Sequence, residues 1–157
     1  MADTKIRVRK ATALLKEDHQ NVKKLFLSYE RADEEEEGQK ASIFDTLRKE
    51  IEVHAQIEEE IFYPAIQTSD DSEAGHLLRE AAEEHRLIKQ LLQELEPLTP
   101  GDEDFDAKLK VLKDNVLHHA EEEQEQIFPI FDALPRDDRD EVAERLSIRK
   151  RELTGEE

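Results

Sequence analysis

The chain contains no cysteine. That removes disulfides, thiolate chemistry, sulfur-ligated zinc and iron–sulfur clusters together. Long apolar runs are also missing: none approaches the ~20 residues that a membrane span requires. The N-terminal stretch "MADTKIRVRKATALLKED" has neither an extended apolar core nor a small-residue cleavage site, so it does not read as a secretion signal. A cytoplasmic protein is expected. Basic residues are the scarcer charge, 23 Lys and Arg against 41 Asp and Glu, for a net charge of −18. Nucleic-acid phosphates and anionic membrane surfaces both need clustered Lys and Arg, so neither is an expected partner.

What remains is 36% hydrophobic and 41% charged. A low apolar fraction with high net charge can signal disorder. Here, however, Leu, Ile, Val and Phe recur at helical spacing, which predicts long helices coated in charge. The length suits one domain with a sizeable core.

Periodicity and punctuation predict five helices. The first runs from Thr4 or Ala11 to about Glu36, with Gly38 as its stop. The second runs from about Gln39 to Gln67. The third spans about Ser72 to Glu96, with N-caps expected among Ser69 to Ser72. After the breaker "PLTPGDED", the fourth covers about Asp102 to Ala133, its first turn acidic as the helix dipole favours. A shorter fifth covers about Pro135 to Leu153. Four long helices with short connections describe an all-α, up-down-up-down four-helix bundle with an additional C-terminal helix. Residues 1–134 form the bundle, and 135–157 a C-terminal helix and tail of the same domain.

The chain repeats itself. "KEDHQNVKKLF" around His19 resembles "AEEHRLIKQLL" around His85, and "HAQIEEEIFYP" from His54 resembles "HAEEEQEQIFP" from His119. The offsets are 66 (85 − 19) and 65 (119 − 54), so one helical hairpin is read as duplicated about an approximate two-fold axis.

Phase singles out six residues. The second helix carries Phe44, Leu47, Ile51, His54, Glu58, Ile61 and Ala65 at steps of three or four. The fourth carries Leu109, Leu112, Val116, His119, Glu123, Ile127 and Ile130 in the same way. His19 lies between Leu15 and Val22 on the first stripe, and His85 between Ala81 and Ile88 on the third. Four histidines and two glutamates thus stand where a core residue should. Buried without partners, such groups would each cost several kcal/mol, on the order of the penalties known for buried polar and charged groups. An i, i+4 His–Glu pair shares one helix face. Two carboxylates arriving from opposite helices can bridge two cations. Imidazole with carboxylate suits iron, manganese or zinc, whereas calcium and magnesium prefer oxygen alone.

Other histidines do not fit. His76 lies beside Gly75 at a helix start, and His118 is ~100° round the helix from His119. Glu34 to Glu37 read as solvated charge. Asp18 and Glu84, each preceding a stripe histidine, are expected to face solvent. Glu59, Glu60, Glu121 and Glu122 are expected to be surface charge, with Glu122 able to pair with His118.

The order His, His-x-x-x-Glu, His, His-x-x-x-Glu over four helices resembles the hemerythrin-like family, in its HHE cation-binding branch. Pro64 and Pro129, ten residues after their histidines in "FYP" and "IFP", fit the same resemblance, and each should kink or loosen its helix. The resemblance covers about residues 8 to 133. It implies terminal ligands at His19, His54, His85 and His119, with Glu58 and Glu123 bridging two irons completed by oxo, hydroxo or water. Manganese or zinc are the alternatives. Oxygen-carrying members have a fifth histidine one turn before the third-helix ligand, where this chain has Ala81, and a longer-spaced aspartate where it has Glu123. The resemblance therefore implies a more reactive or exchangeable centre than a carrier. Dioxygen, peroxide or nitric oxide are the expected small ligands, and oxidase-like or peroxidase-like turnover is open. The alternative is an iron- or oxygen-sensing or storage module acting through an unidentified protein partner. The basic stretch "SIRKREL" of the fifth helix is either a contact for that partner or a cap on the bundle. Ala81 leaves room for a small cavity, a water or a nearby acid such as Glu84.

Overall fold

The computed structural model describes residues 10–32, 36 and 38–156. Among these there is no strand, and five helices account for the fold: α1 (Ala11–Arg31), α2 (39–67), α3 (Ala74–Leu95), α4 (103–132) and α5 (Arg136–Thr154). The all-α expectation holds. The boundaries differ in one informative place. Helix α1 stops at Arg31, and Gly38 opens α2 in place of closing α1. Its φ of 93° lies in the left-handed region that glycine alone enters without strain. Of the stretch expected to extend α1, residues 4–9, 33–35 and 37 lie outside the described residues. No Ser side chain caps α3; the Glu73 amide donates to Asp71 Oδ1 just before it, at 2.8 Å.

Two helices are interrupted. In α2, an α-helical stretch Gln39–Ile57 gives way to a π turn, Glu58–Phe62, and then to Tyr63–Gln67. In α4 the same happens at Glu123–Ile127. The turns are 65 residues apart (123 − 58), matching the sequence repeat. Each precedes a proline by two residues. An α register would ask residue 64 to donate to the Glu60 carbonyl, and proline has no N–H to give. The wider turn avoids that demand: the Tyr63 amide donates to the Glu58 carbonyl, and Phe128 to Glu123. The extra residue also moves the buried face by one position. Phe62 and Ile66, then Phe128 and Phe131, enter the core beside Ile61, Ile127 and Ile130, while Ala65 is only partly buried.

The core is split in two. Toward one end Val22, Phe26, Leu47, Leu92, Phe105 and Leu112 pack together. Toward the other Leu15, Phe62, Ile66, Ala81 and Phe131 pack with Val142 and Leu146 of α5. Burying a large apolar side chain stabilises by roughly 1.5–3 kcal/mol, so each cluster is a substantial anchor. The four stripe histidines and two glutamates lie between the clusters, since each interrupts a stripe whose two ends belong to different clusters.

Candidate metal centre

All six residues singled out by phase converge. Glu58 and Glu123 have no exposed surface (0% each), and the four imidazoles are nearly as enclosed. His19, His54, Glu58 and Glu123 each offer a ligand atom within one small group, and Glu58, His85 and His119 form a second. The two imidazole pairs have nearly the same geometry. His19 and His54 ring centres are 4.9 Å apart at 68°, and those of His85 and His119 are 4.7 Å apart at 66°. Each carboxylate reaches both pairs. Glu58 Oε1 is 3.3 Å from His54 Nε2 and 3.2 Å from His85 Nε2. Glu123 is 3.2 Å from His19 Nε2 through Oε1 and 3.5 Å from His119 Nε2 through Oε2.

The other ring nitrogen of every histidine is held by an acceptor on an adjacent helix. His19 Nδ1 donates to Gln124 at 2.8 Å and His54 Nδ1 to Asp18 at 2.9 Å. His85 Nδ1 donates to Glu59 at 3.0 Å and His119 Nδ1 to Glu84 at 2.8 Å. These contacts also repeat: Asp18 corresponds to Glu84 (84 − 18 = 66), and Glu59 to Gln124 (124 − 59 = 65). An acceptor at Nδ1 keeps the proton there and turns the Nε2 lone pair inward, the orientation a metal ligand needs.

Asp18 therefore corrects the expectation that it faces solvent, whereas Glu84 and Glu59 keep the solvent access expected of them and still accept from His119 and His85. A residue one step before a stripe position is ~100° round the helix, which in a four-helix bundle puts it at the seam with the next helix. Asp18 is 2% exposed. The duplication carried a signal for these residues, because Asp/Glu recurs at 18 and 84 and Glu/Gln at 59 and 124. Among the flanking acids, Glu122 pairs with His118 at 3.2 Å and His76 with Glu80 at 2.8 Å, all at the surface. Both histidines stay out of the centre, as expected. Glu84, His118 and Glu122 also lie close enough together to share a cation, but Glu84 is already engaged by His119.

Tyr63 was not foreseen as part of the site. It follows the first π turn, and its hydroxyl donates to Glu123 Oε2 at 2.5 Å. The Tyr63 hydroxyl oxygen also lies 3.3 Å from Glu58 Oε1, 3.3 Å from His85 Nε2 and 3.2 Å from His119 Nε2. The matched position in the second hairpin is Phe128 (128 − 63 = 65), which stacks on His19 with centroids 6.0 Å apart. The missing fifth histidine thus leaves no hole at Ala81, which packs in the apolar cluster. The phenol enters the His85/His119 half. The cavity that does touch the imidazoles holds about 30 Å³, roughly one water's volume. It lies on the other side, walled by Val22, Ile51, Ile88 and Val116.

Electrostatics follow from this enclosure. Burial alone would lower the His119 pKa, but hydrogen bonds to Glu123 and Glu84 outweigh it and raise it to about 10. His54 and His85 move in the same direction, against burial, through Glu58 with Asp18 and through Glu58 with Glu59. Burial opposes ionisation of Glu123, yet its contacts with Glu58, His119 and His19 hold it well below the usual carboxylate range. Glu59 is held down to about 2, chiefly by His85 and then by Lys89. Burial and the two glutamates push the Tyr63 phenol well up.

Residues 10–131 match the model of the hemerythrin HHE cation-binding domain. The chain belongs to that family. As an HHE domain it is a cation-binding bundle, and the histidine–glutamate layer is where its ligand-type side chains meet. A hemerythrin HHE domain-containing protein of Mycobacterium kansasii has a similar fold, with a TM-score of 0.80 at 24% identity over 94% of this chain and 88% of the other. A protein named DNA nickase from Nostoc sp. (strain PCC 7120 / SAG 25.82 / UTEX 2576) is 25% identical over 116 residues. That match takes in 73% of this HHE chain but spans only 31% of the nickase. No helix among the described residues is long and apolar enough to cross a membrane.

Proposed function

We propose that this HHE bundle would hold two iron ions, His19 with His54 serving one and His85 with His119 the other, and Glu58 and Glu123 shared between them. One observation carries the reading. His19 Nε2, His54 Nε2, Glu58 Oε2 and Glu123 Oε1 are buried and none makes a hydrogen bond of good geometry; the two imidazole nitrogens have only a carboxylate oxygen at 3.2–3.3 Å. A buried polar atom left without a hydrogen bond costs about 1–3 kcal/mol, so a layer with four of them favours a cation that they can ligate together. Their chemistry, imidazole nitrogen with carboxylate oxygen, fits iron, and manganese or zinc are the alternatives.

When bound, iron would supply the open positions and electrons through which dioxygen, peroxide or nitric oxide is bound or reduced. The chain does the rest. Gln124, Asp18, Glu59 and Glu84 fix each imidazole's tautomer and aim. Val22, Ile51, Ile88 and Val116 keep the cavity beside the imidazoles apolar and small, which suits a diatomic molecule and excludes larger substrates. Tyr63 holds a proton against Glu123 at the edge of the His85/His119 half.

The DNA-directed activity in the nickase's name comes from a protein of which this chain spans under a third. A net charge of −18 disfavours the phosphate contacts that such an activity requires, and we infer no such activity for this chain.

The test is metal loading in air followed by metal analysis and visible spectroscopy. Two irons per chain with oxo-bridge absorption are expected. Fewer than one metal per chain after careful loading would end the proposal. His54→Ala and Glu58→Ala should each abolish the two-metal state; retention of both metals in either variant would show the ligands to be wrongly assigned.

A further inference from the structure

We propose that Lys150, on α5, is a positioning residue for one metal position and not the other. The inference rests on the two-metal reading above. Lys150 Nζ lies 2.6 Å from Asp18 Oδ1, while Asp18 Oδ2 accepts from His54 Nδ1. The lysine, carboxylate and imidazole thus form a chain from the fifth helix to the His19/His54 pair.

The duplicated hairpins differ at this point. In the other half Glu84 does for His119 what Asp18 does for His54, but the Glu84 side chain is 27% exposed and reaches solvent. Asp18, at 2% exposure, cannot do so. A buried carboxylate without a cation costs far more than an exposed one, so Asp18 needs Lys150 in a way that Glu84 needs nothing comparable. With Lys150 on one oxygen, the other is left to His54, which keeps that ring aimed into the centre. The helix beyond the duplicated bundle therefore completes one half of the metal layer. Arg149, beside it, provides a control: it binds Glu60 at 2.8 Å in an exposed pair that reaches no histidine.

Stepwise binding of cobalt(II) to the metal-free protein, followed by calorimetry and by the cobalt visible bands, tests this. Wild type should bind two ions. Lys150→Met should weaken one step by roughly 10–100-fold, the range seen when groups behind metal ligands are removed. The second step should stay within about threefold, and Lys150→Arg should restore the first. Glu84→Gln should weaken the other step, assigning each step to a half. Arg149→Met should leave both steps intact while lowering the melting temperature. In an Asp18→Asn background, which removes the buried charge, Lys150→Met should have no further effect; this arm also serves if Lys150→Met alone does not fold. The proposal is overturned if Lys150→Met changes both steps equally or neither, if arginine does not rescue, or if Arg149→Met has the same effect. Failure of wild type to take up two ions would instead remove the two-metal reading on which the inference stands.

Discussion

At the scale of single residues, the histidine acceptors are as informative as the histidines. Glu84 and Glu59 sit behind His119 and His85. Replacing Glu84 by Gln keeps an acceptor but removes its charge, so the imidazole becomes a weaker donor to metal. A 10–100-fold loss of metal affinity with little change in helix content is expected, measurable by competition with a chelator. Glu59 makes an acid-side prediction. Its folded pKa of about 2 lies below the ordinary carboxylate value of 4.5, so its contribution is present above 4.5 and fades as pH falls toward 2. Glu59→Gln should flatten that part of the metal-free protein's acid unfolding curve, followed by circular dichroism. The six stripe residues were legible in the sequence because phase along a helix depends on that helix alone. Their acceptors were not, because Asp18 and Glu84 acquire meaning only once a neighbouring helix is placed beside them. Tyr63 was hidden for the same reason, and its register depends further on a π turn that periodicity does not reveal.

At the scale of elements, the two π turns place the carboxylates. Each begins at a glutamate of the centre, Glu58 or Glu123, and each is followed by a proline. Pro64 and Pro129 did signal an irregularity in the sequence, but a kink, a loosened turn and a π turn all satisfy a missing N–H. Only the observed backbone distinguishes them. Pro64 is exposed, so Pro64→Ala creates no cavity and restores a donor. It should let α2 relax toward a regular α register, turning Glu58 and Tyr63 away from the centre. Weaker metal binding is expected, with a metal-free melting temperature equal to or above wild type, since proline inside a helix costs ~3 kcal/mol. A variant that loses stability while keeping full metal affinity would argue that the turn is set by packing of Phe62 and Ile66. The basic stretch of α5 also resolves at this scale: Arg149 and Lys150 are engaged by Glu60 and Asp18, which favours the cap over a contact for another protein.

At the scale of the whole molecule, two apolar clusters enclose a layer that opposes folding unless it is neutralised. The metal-free protein meets that need partly with protons, since His54, His85 and His119 are all raised above 6.5 by the carboxylates facing them. A raised folded pKa contributes stability in full below the unfolded value of 6.5. That contribution disappears as pH climbs toward the folded value, about 10 for His119. Asp18, Glu59, Glu84 and Glu123, all held below the usual carboxylate range, add no opposing slope there. Metal ligation requires neutral imidazole, so the loaded protein carries no such dependence over this window. The loaded form should therefore melt higher than the chelator-treated form, by an amount equivalent to about 2.7 kcal/mol for each bound ion when free metal is a hundredfold above its Kd. The gap between them should widen steadily from pH 6.5 to 9 as the metal-free form alone weakens. Melting curves of both forms across that range decide it. A gap that stays constant would mean that the histidines are neutral in the metal-free protein, and that protons do not stand in for the cations.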